Sequence, residues 1–255
     1  MATLLTQPAK SQVSAAALGR FAGLSLLLAL LPGCQSVMMT TDTSATIRFI
    51  DASPDAPGLD IYENTTAIAY NLGFGTITSY IPVTPGTYTF SADAAGTRQV
   101  LIANKQTLAG EHHYTAIIGN IQASLQENIF TDQTAPAPTG QVSFRFIDQA
   151  TKVGAVDIYL VPSTGKLTTA APVATNIVFT GNTGYINVAT GTYAIAVVPT
   201  GTVPIATTVT LLTGPQQTYS AGAVRTVVLI DSQILTTPAV QAIIADDYDS
   251  PSATS

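Results

Sequence analysis

Three aspartates within ten residues, Asp51, Asp55 and Asp60, sit around a proline-rich loop. Carboxylates gathered on a loop can ligate Ca²⁺, which takes about six to eight oxygen donors. Their spacing fits neither an EF-hand nor a repeat-in-toxin motif, so calcium is the minor reading. Within Ser53-Pro54-Asp55-Ala56-Pro57 an aspartate is more simply a turn former that accepts nearby backbone N–H groups. A hydrolase would need Asp51 and Asp55 to face one cleft. His112 and His113 are the only two histidines. Neighbours on a strand point to opposite faces, which argues against a shared metal. No Gly-x-Ser-x-Gly elbow surrounds Ser53 or any other serine, so no catalytic residue and no cofactor is expected.

Two arginine–aspartate pairs share one spacing: Arg48 with Asp60, and Arg145 with Asp157. Each arginine alternates with core aromatics and each aspartate with Ile61 or Ile158. On neighbouring strands the two charges would meet as an exposed cross-strand ion pair, setting register more than stability. The competing reading is an arginine that awaits an anionic ligand. Tyr62, Tyr80 and Tyr88, with Tyr159, Tyr185 and Tyr193, are candidates for a sugar-binding platform, but their recurrence suits packing with hydroxyls bonded at strand ends.

The single cysteine, Cys34, closes the run Phe21–Leu31, Pro32, Gly33. Eleven helical residues at ~1.5 Å each cover about half of a ~30 Å hydrocarbon core, too little to span it. Lys10 and Arg20 precede the run, as in an export signal. Leu31-Pro32-Gly33-Cys34 resembles the lipobox of bacterial lipoproteins, in which the thiol is joined to diacylglycerol and the mature chain is acylated, commonly with palmitate. The resemblance implies a signal peptide over 1–33, lipidation of Cys34, a tether over 34–44, and a membrane partner reached through the lipid. In such lipoproteins an aspartate after the cysteine retains the protein at the inner membrane. Gln35 in that place implies outer-membrane delivery.

Without Lys10 and Arg20, seven basic residues face fifteen acidic ones, a formal charge of −8. No basic patch for nucleic acid is available. Charged residues make up 9% of the chain against a usual figure of about 25%, so Thr, Ser, Asn and Gln carry solubility.

The architecture follows from an internal duplication. Arg48-Phe-Ile-Asp51, Asp60-Ile-Tyr62, Tyr80-Ile81, Gly86-Thr-Tyr88 and Tyr114 recur as Arg145-Phe-Ile-Asp148, Asp157-Ile-Tyr159, Tyr185-Ile186, Gly191-Thr-Tyr193 and Tyr219. One insertion around 161–174 accounts for the change of offset. Alternation in Ala45–Ile50 and turn dipeptides ahead of β-rich runs indicate short strands. The fold expected is all-β: two tandem antiparallel β-sandwiches, Ig-like or transthyretin-like, over 45–130 and 141–244. A linker over 131–140 joins them, and 245–255 is expected to be a disordered acidic tail.

Phe49-Ile-Asp-Ala-Ser-Pro-Asp-Ala-Pro57, Asp60-Ile-Tyr62 and Pro85-Gly-Thr-Tyr88 resemble the DUF4397 domain of bacterial envelope proteins. The resemblance is full over 45–130 and looser in the second repeat, where Lys152-Val-Gly replaces the Ser-Pro-Asp-Ala-Pro loop. That family has no established activity. The function expected is a non-enzymatic, membrane-anchored envelope lipoprotein, structural or binding a protein or polymer. The alternatives are a surface carbohydrate-binding or adhesive lipoprotein and, behind it, a hydrolase.

Overall fold

The computed structural model describes residues 43–232 and 239–249. Cys34, the leader over 1–33, Gln35 and residues 250–255 lie outside the described residues. The chain is all-β, with two short 3-10 turns at Gln122–Ser124 and Leu167–Thr169 among the described residues. The first repeat supplies β1 (Ala45–Asp51), β2 (Leu59–Glu63), β3 (Thr66–Leu72), β4 (Ile81–Val83), β5 (Gly86–Ala94), β6 (Val100–Leu108), β7 (His113–Gly119) and β8 (Gln126–Asp132). The second supplies β9 (Gln141–Asp148), β10 (Val156–Pro162), β11 (Pro172–Ile177), β12 (Asn182–Ala189), β13 (Gly191–Pro199), β14 (Leu212–Thr213), β15 (Gln217–Tyr219), β16 (Val224–Asp231) and β17 (Val240–Tyr248).

Each repeat is a two-sheet sandwich. In the first, β4-β1-β7-β8 faces β3-β2-β5-β6. In the second, β12-β9-β16-β17 faces β11-β10-β13-β14, with β15 also paired to β13. Ladders formed before Asp132 use only first-repeat strands, and those after Gln141 only second-repeat strands. Every β1 residue but one is buried, because Ile47 and Phe49 enter the first core with Leu59, Ile61 and Phe90. Phe144, Phe146, Val156, Ile158 and Ile195 fill the matching positions of the second core.

Three sequence expectations change. The sheets are not wholly antiparallel: β1 runs parallel to β7, and β9 to β16. After β1 the chain leaves for the opposite sheet, returns antiparallel as β4 on one flank, and returns again as β7 on the other. A returning crossover of this kind, unlike a hairpin, delivers a strand in the original direction. The match of Tyr114 to Tyr219 also fails, since Tyr114 lies on β7 and Tyr219 on β15, which pairs with β13. The counterpart of β7 is β16, so further residues are inserted between β13 and β16. The tail is shorter than expected, because β17 runs to Tyr248 and buries Asp247. Antiparallel pairing with β16 consumes the polar run that composition alone reads as disorder.

The described residues form one compact unit. A separate apolar cluster joins the outer face of β1 and β7 to that of β9 and β16: Ile50, Ala52 and Ile117 meet Ile147, Val228 and Ile230. The two sandwiches therefore pack sheet against sheet, with neither of these faces left to solvent.

Candidate functional site

On β1, Ile47 and Phe49 point into the sandwich, so Arg48 points outward, toward the second repeat. It is 3% exposed, and Arg145 on β9 is 2% exposed. Burying a guanidinium is tolerable only if nearly all its donors find acceptors. Arg48 Nε donates to Thr115 Oγ1 at 2.9 Å and Nη1 to the Asp246 carbonyl at 2.8 Å, while Nη2 pairs with the Asp247 carboxylate. Arg145 repeats the set: Nε donates to Thr226 Oγ1 at 3.0 Å, Nη1 to the Thr131 carbonyl at 3.0 Å, and Nη2 to Asp132.

Each arginine thus takes its carboxylate and its carbonyl from the last strand of the other repeat. Within each repeat a tyrosine braces the arginine and the aspartate it contributes. Tyr80 Oη donates to Asp132 at 2.7 Å and its ring lies 4.5 Å from the Arg48 guanidinium; Tyr185 Oη donates to Asp247 at 2.8 Å, its ring 4.8 Å from Arg145. The Thr115 and Thr226 hydroxyls each donate to the aspartate of their own repeat, at 2.6 Å in both cases. Two positive and two negative charges close on one another, sandwiched between aromatic faces. Burial pushes both tyrosine hydroxyls well above their usual range, so they remain donors.

The expected pairs Arg48–Asp60 and Arg145–Asp157 do not form. The premise of neighbouring strands fails: β1 and β2 belong to opposite sheets of the sandwich, as do β9 and β10. Asp60 instead accepts the N–H of Asn71 at 2.8 Å and of Gly96 at 2.9 Å. Asp157 accepts those of Asn176 at 2.8 Å and Gly201 at 3.1 Å, and the Thr200 hydroxyl at 2.9 Å. All four amides belong to residues with positive φ. The Asp-Ile-Tyr motif therefore stitches an irregularity in the neighbouring edge strand, at Asn71 or Asn176, and a turn, at Gly96 or Gly201, onto the strand that carries it, once in each repeat. Neither arginine awaits an anion, because both already hold one.

Asp132, Asp247, Thr115 and Thr226 were not candidates on sequence: Asp132 fell in the assumed linker and Asp247 in the assumed tail. A signal does exist. Thr226-Val-Val-Leu-Ile230 and Ala116-Ile-Ile118 are apolar on both faces, the pattern of strands covered on two sides.

The carboxylates of the proline-rich loop do not converge. Asp51, fully buried, accepts the Ser53 N–H at 2.9 Å, and burial pushes its carboxyl up to about 7 against that bond. Asp55 accepts the Ser53 hydroxyl at 3.5 Å and the Gln122 N–H at 2.7 Å. Asp60 is occupied with Asn71 and Gly96. Among the described residues no group of three or more His, Cys, Asp or Glu side chains is placed to hold a metal ion. Thr46 lies beside His113 at one end of β1 and Asp51 beside Ile118 at the other, so Ser53 and the histidines occupy opposite ends of the sheet. His112 Nδ1 lies 2.7 Å from the Gly110 carbonyl, and His113 packs 5.0 Å from the Tyr80 ring.

Tyr62 packs against Arg98 and Tyr159 against Val161, Ala196 and Val198, whereas Tyr88 and Tyr193 hold strand ends. Tyr88 and Tyr193 donate to the carbonyls of Thr84 and Ala189, four residues back, at 2.7 and 3.0 Å. Their rings fold over Gly86 and Gly191, where an added Cβ would come within 3.3 and 3.1 Å. That close approach is the reason for glycine in Gly-Thr-Tyr. In the second repeat the outer edge breaks at Gly214-Pro215 between β14 and β15, above a cavity of about 100 Å³ lined by Ile195, Leu212, Tyr219, Ala242 and Ile244.

Residues 45–159 match the family model described as a domain of unknown function, DUF4397. The match covers the whole first sandwich and continues through β9 and into β10. No curated protein matches the chain. Among solved structures, a leucine-rich repeat protein from Bacteroides thetaiotaomicron is 13% identical, with 72% of this chain and 26% of that one covered and a TM-score of 0.21. The chain thus spans about a quarter of that protein's length. A family CBM26 module of Eubacterium rectale Amy13K, solved with maltoheptaose, is 11% identical, with 82% of this chain and 98% of that one covered and a TM-score of 0.24.

Proposed function

We propose that this chain is a non-enzymatic envelope lipoprotein, anchored through Cys34, whose two repeats act as one stiff structural or protein- and polymer-binding module. The observation that carries the reading is the reciprocal buried clamp. Tandem domains on a simple linker reorient freely, whereas these share an apolar cluster and four interlocked charges. The titratable groups of the DUF4397 motif are used to hold turns: Asp51, Asp55 and Asp60 all accept backbone N–H groups. Support for the anchor is the Leu31-Pro-Gly-Cys34 run, with Cys34 the single cysteine, and Gln35 favours the outer membrane. The presented surface, rather than a cleft, is then the working part, with an envelope protein or polysaccharide as the partner.

Two measurements test this. Mass spectrometry of the mature N-terminal peptide should find acylated Cys34, and Cys34→Ser should abolish both the acyl mass and partition into detergent. A free Cys34 thiol in the mature protein sinks the anchor. Residual dipolar couplings of the two repeats should fit a single alignment tensor, and two independent tensors would remove the stiff module.

A further inference from the structure

The contact between the repeats is isologous in all but covalent connection. Arg48 reaches Asp247 while Arg145 reaches Asp132, Thr115 and Thr226 hold the same place beside each guanidinium, and Tyr80 and Tyr185 answer one another. Contacts in which i meets j and j meets i are those of a two-fold dimer. Each repeat thus carries a complete half: one arginine, one threonine, one tyrosine, one aspartate and an apolar patch built on Ile50 or Ile147.

We propose that these faces form a self-complementary docking surface whose second occupant is another copy of this chain, giving a dimer with reciprocally exchanged repeats. The first repeat of each copy would sit on the second repeat of the other and rebuild the clamp twice. Charge complementarity names the occupant. A guest must bring a carboxylate and a carbonyl from adjacent residues of an edge strand, the carboxylate already held by a tyrosine and a threonine hydroxyl of its own repeat, into a face that excludes water. Thr131-Asp132 and Asp246-Asp247 supply both, each on its own edge strand. The eight residues from Gln133 to Gly140, which reach about 28 Å when extended, are the only covalent tie to be redirected. Exchange through a single tie is a low-cost route to dimers.

Charge reversal tests the proposal on the whole mature chain carrying Cys34→Ser. Arg48→Asp sets two carboxylates against each other, and Asp247→Arg sets two guanidinia against each other, so each variant alone has lost one half of its clamp. In an exchanged pair made from one chain of each, the new Asp at 48 meets the new Arg at 247, and in the other half the native Arg48 meets the native Asp247. Co-refolding the two variants should give a 1:1 heterodimer by native mass spectrometry, with a melting temperature above that of either variant. Only monomers of the two variants, melting as they do separately, would overturn the proposal. Should neither variant refold, wild-type chains in light and heavy isotopes decide. Refolded together at high concentration, they should yield mixed-mass dimers, and their absence would overturn it equally.

Discussion

Asp247, on the last strand of the second sandwich, neutralises Arg48 on the first strand of the first, across 199 residues of chain. Asp132 does the same for Arg145 in the opposite sense. The buried charges sit between apolar faces that would adhere in several registers without them. An ion pair that loses its water on both sides is weak evidence for stability but a strong constraint on which alignment is tolerated. Asp132 also lies 3.8 Å from Arg48, so the two halves touch and form one network.

Removing one member should therefore cost more than removing two. Asp247→Ala leaves Arg48 buried without its carboxylate and should lower unfolding free energy by about 3–5 kcal/mol. The double variant Arg48→Met/Asp247→Leu should recover most of that loss. Urea melts followed from both repeats test it, one first-repeat and one second-repeat probe sufficing. Equal losses for the single and double variants would show that the charges are not coupled.

A second expectation concerns Asp60 and Asp157. Asp60→Ala orphans the N–H groups of Asn71, in β3, and Gly96, in a turn, both at positive φ, and should destabilise by about 1–3 kcal/mol. Asp157→Ala removes three bonds and should cost at least as much. Hydrogen exchange at Asn71 and Gly96 should quicken while Thr115, in the clamp, keeps its protection. Uniform loss of protection over the first repeat would mean that Asp60 serves more than these two amides.

Much of the fold is legible in the sequence, and the clamp only in halves. The alternation of Arg48 with Ile47 and Phe49 places it on the outer face, and Arg145 likewise. Alternation reports which side chains share a face; whether solvent or another domain covers that face depends on packing between distant segments. Composition then misled at both acceptors. Asp132 stands next to Gln-Thr-Ala-Pro-Ala-Pro, and Asp247 in Asp-Asp-Tyr-Asp, both polar runs. Each is nonetheless the end of an edge strand, because pairing with β7 or β16 overrides local polarity. The exact 12-residue spacing of Arg48 to Asp60 does carry meaning, since it preserves two separate devices, the clamp and the turn stitch, one on each sheet.

The last prediction concerns acid. Burial pushes the Asp51 carboxyl up to about 7 against the Ser53 N–H that pulls it down. Glu127 is likewise raised to about 7 by burial, against its bond with Asn104. Asp148 is raised to about 6 by burial, with the Ala150 N–H opposing and the charge of Asp231 adding. In the unfolded chain such groups release their protons near ~4. Between that pH and about 6–7 the native state holds protons that the unfolded state has lost, so these groups make stability fall as pH rises. Their contribution is full below ~4 and is lost through the folded values. Asp51→Asn imitates the protonated acid, keeps an acceptor for the Ser53 N–H, and removes one titration. Its melting temperature should match that of the wild type at pH 4 and exceed it at pH 8, a gain on the order of 1–3 kcal/mol. Parallel stability curves for the two proteins from pH 4 to 8 would place the Asp51 carboxylate in contact with water and end the argument for its burial.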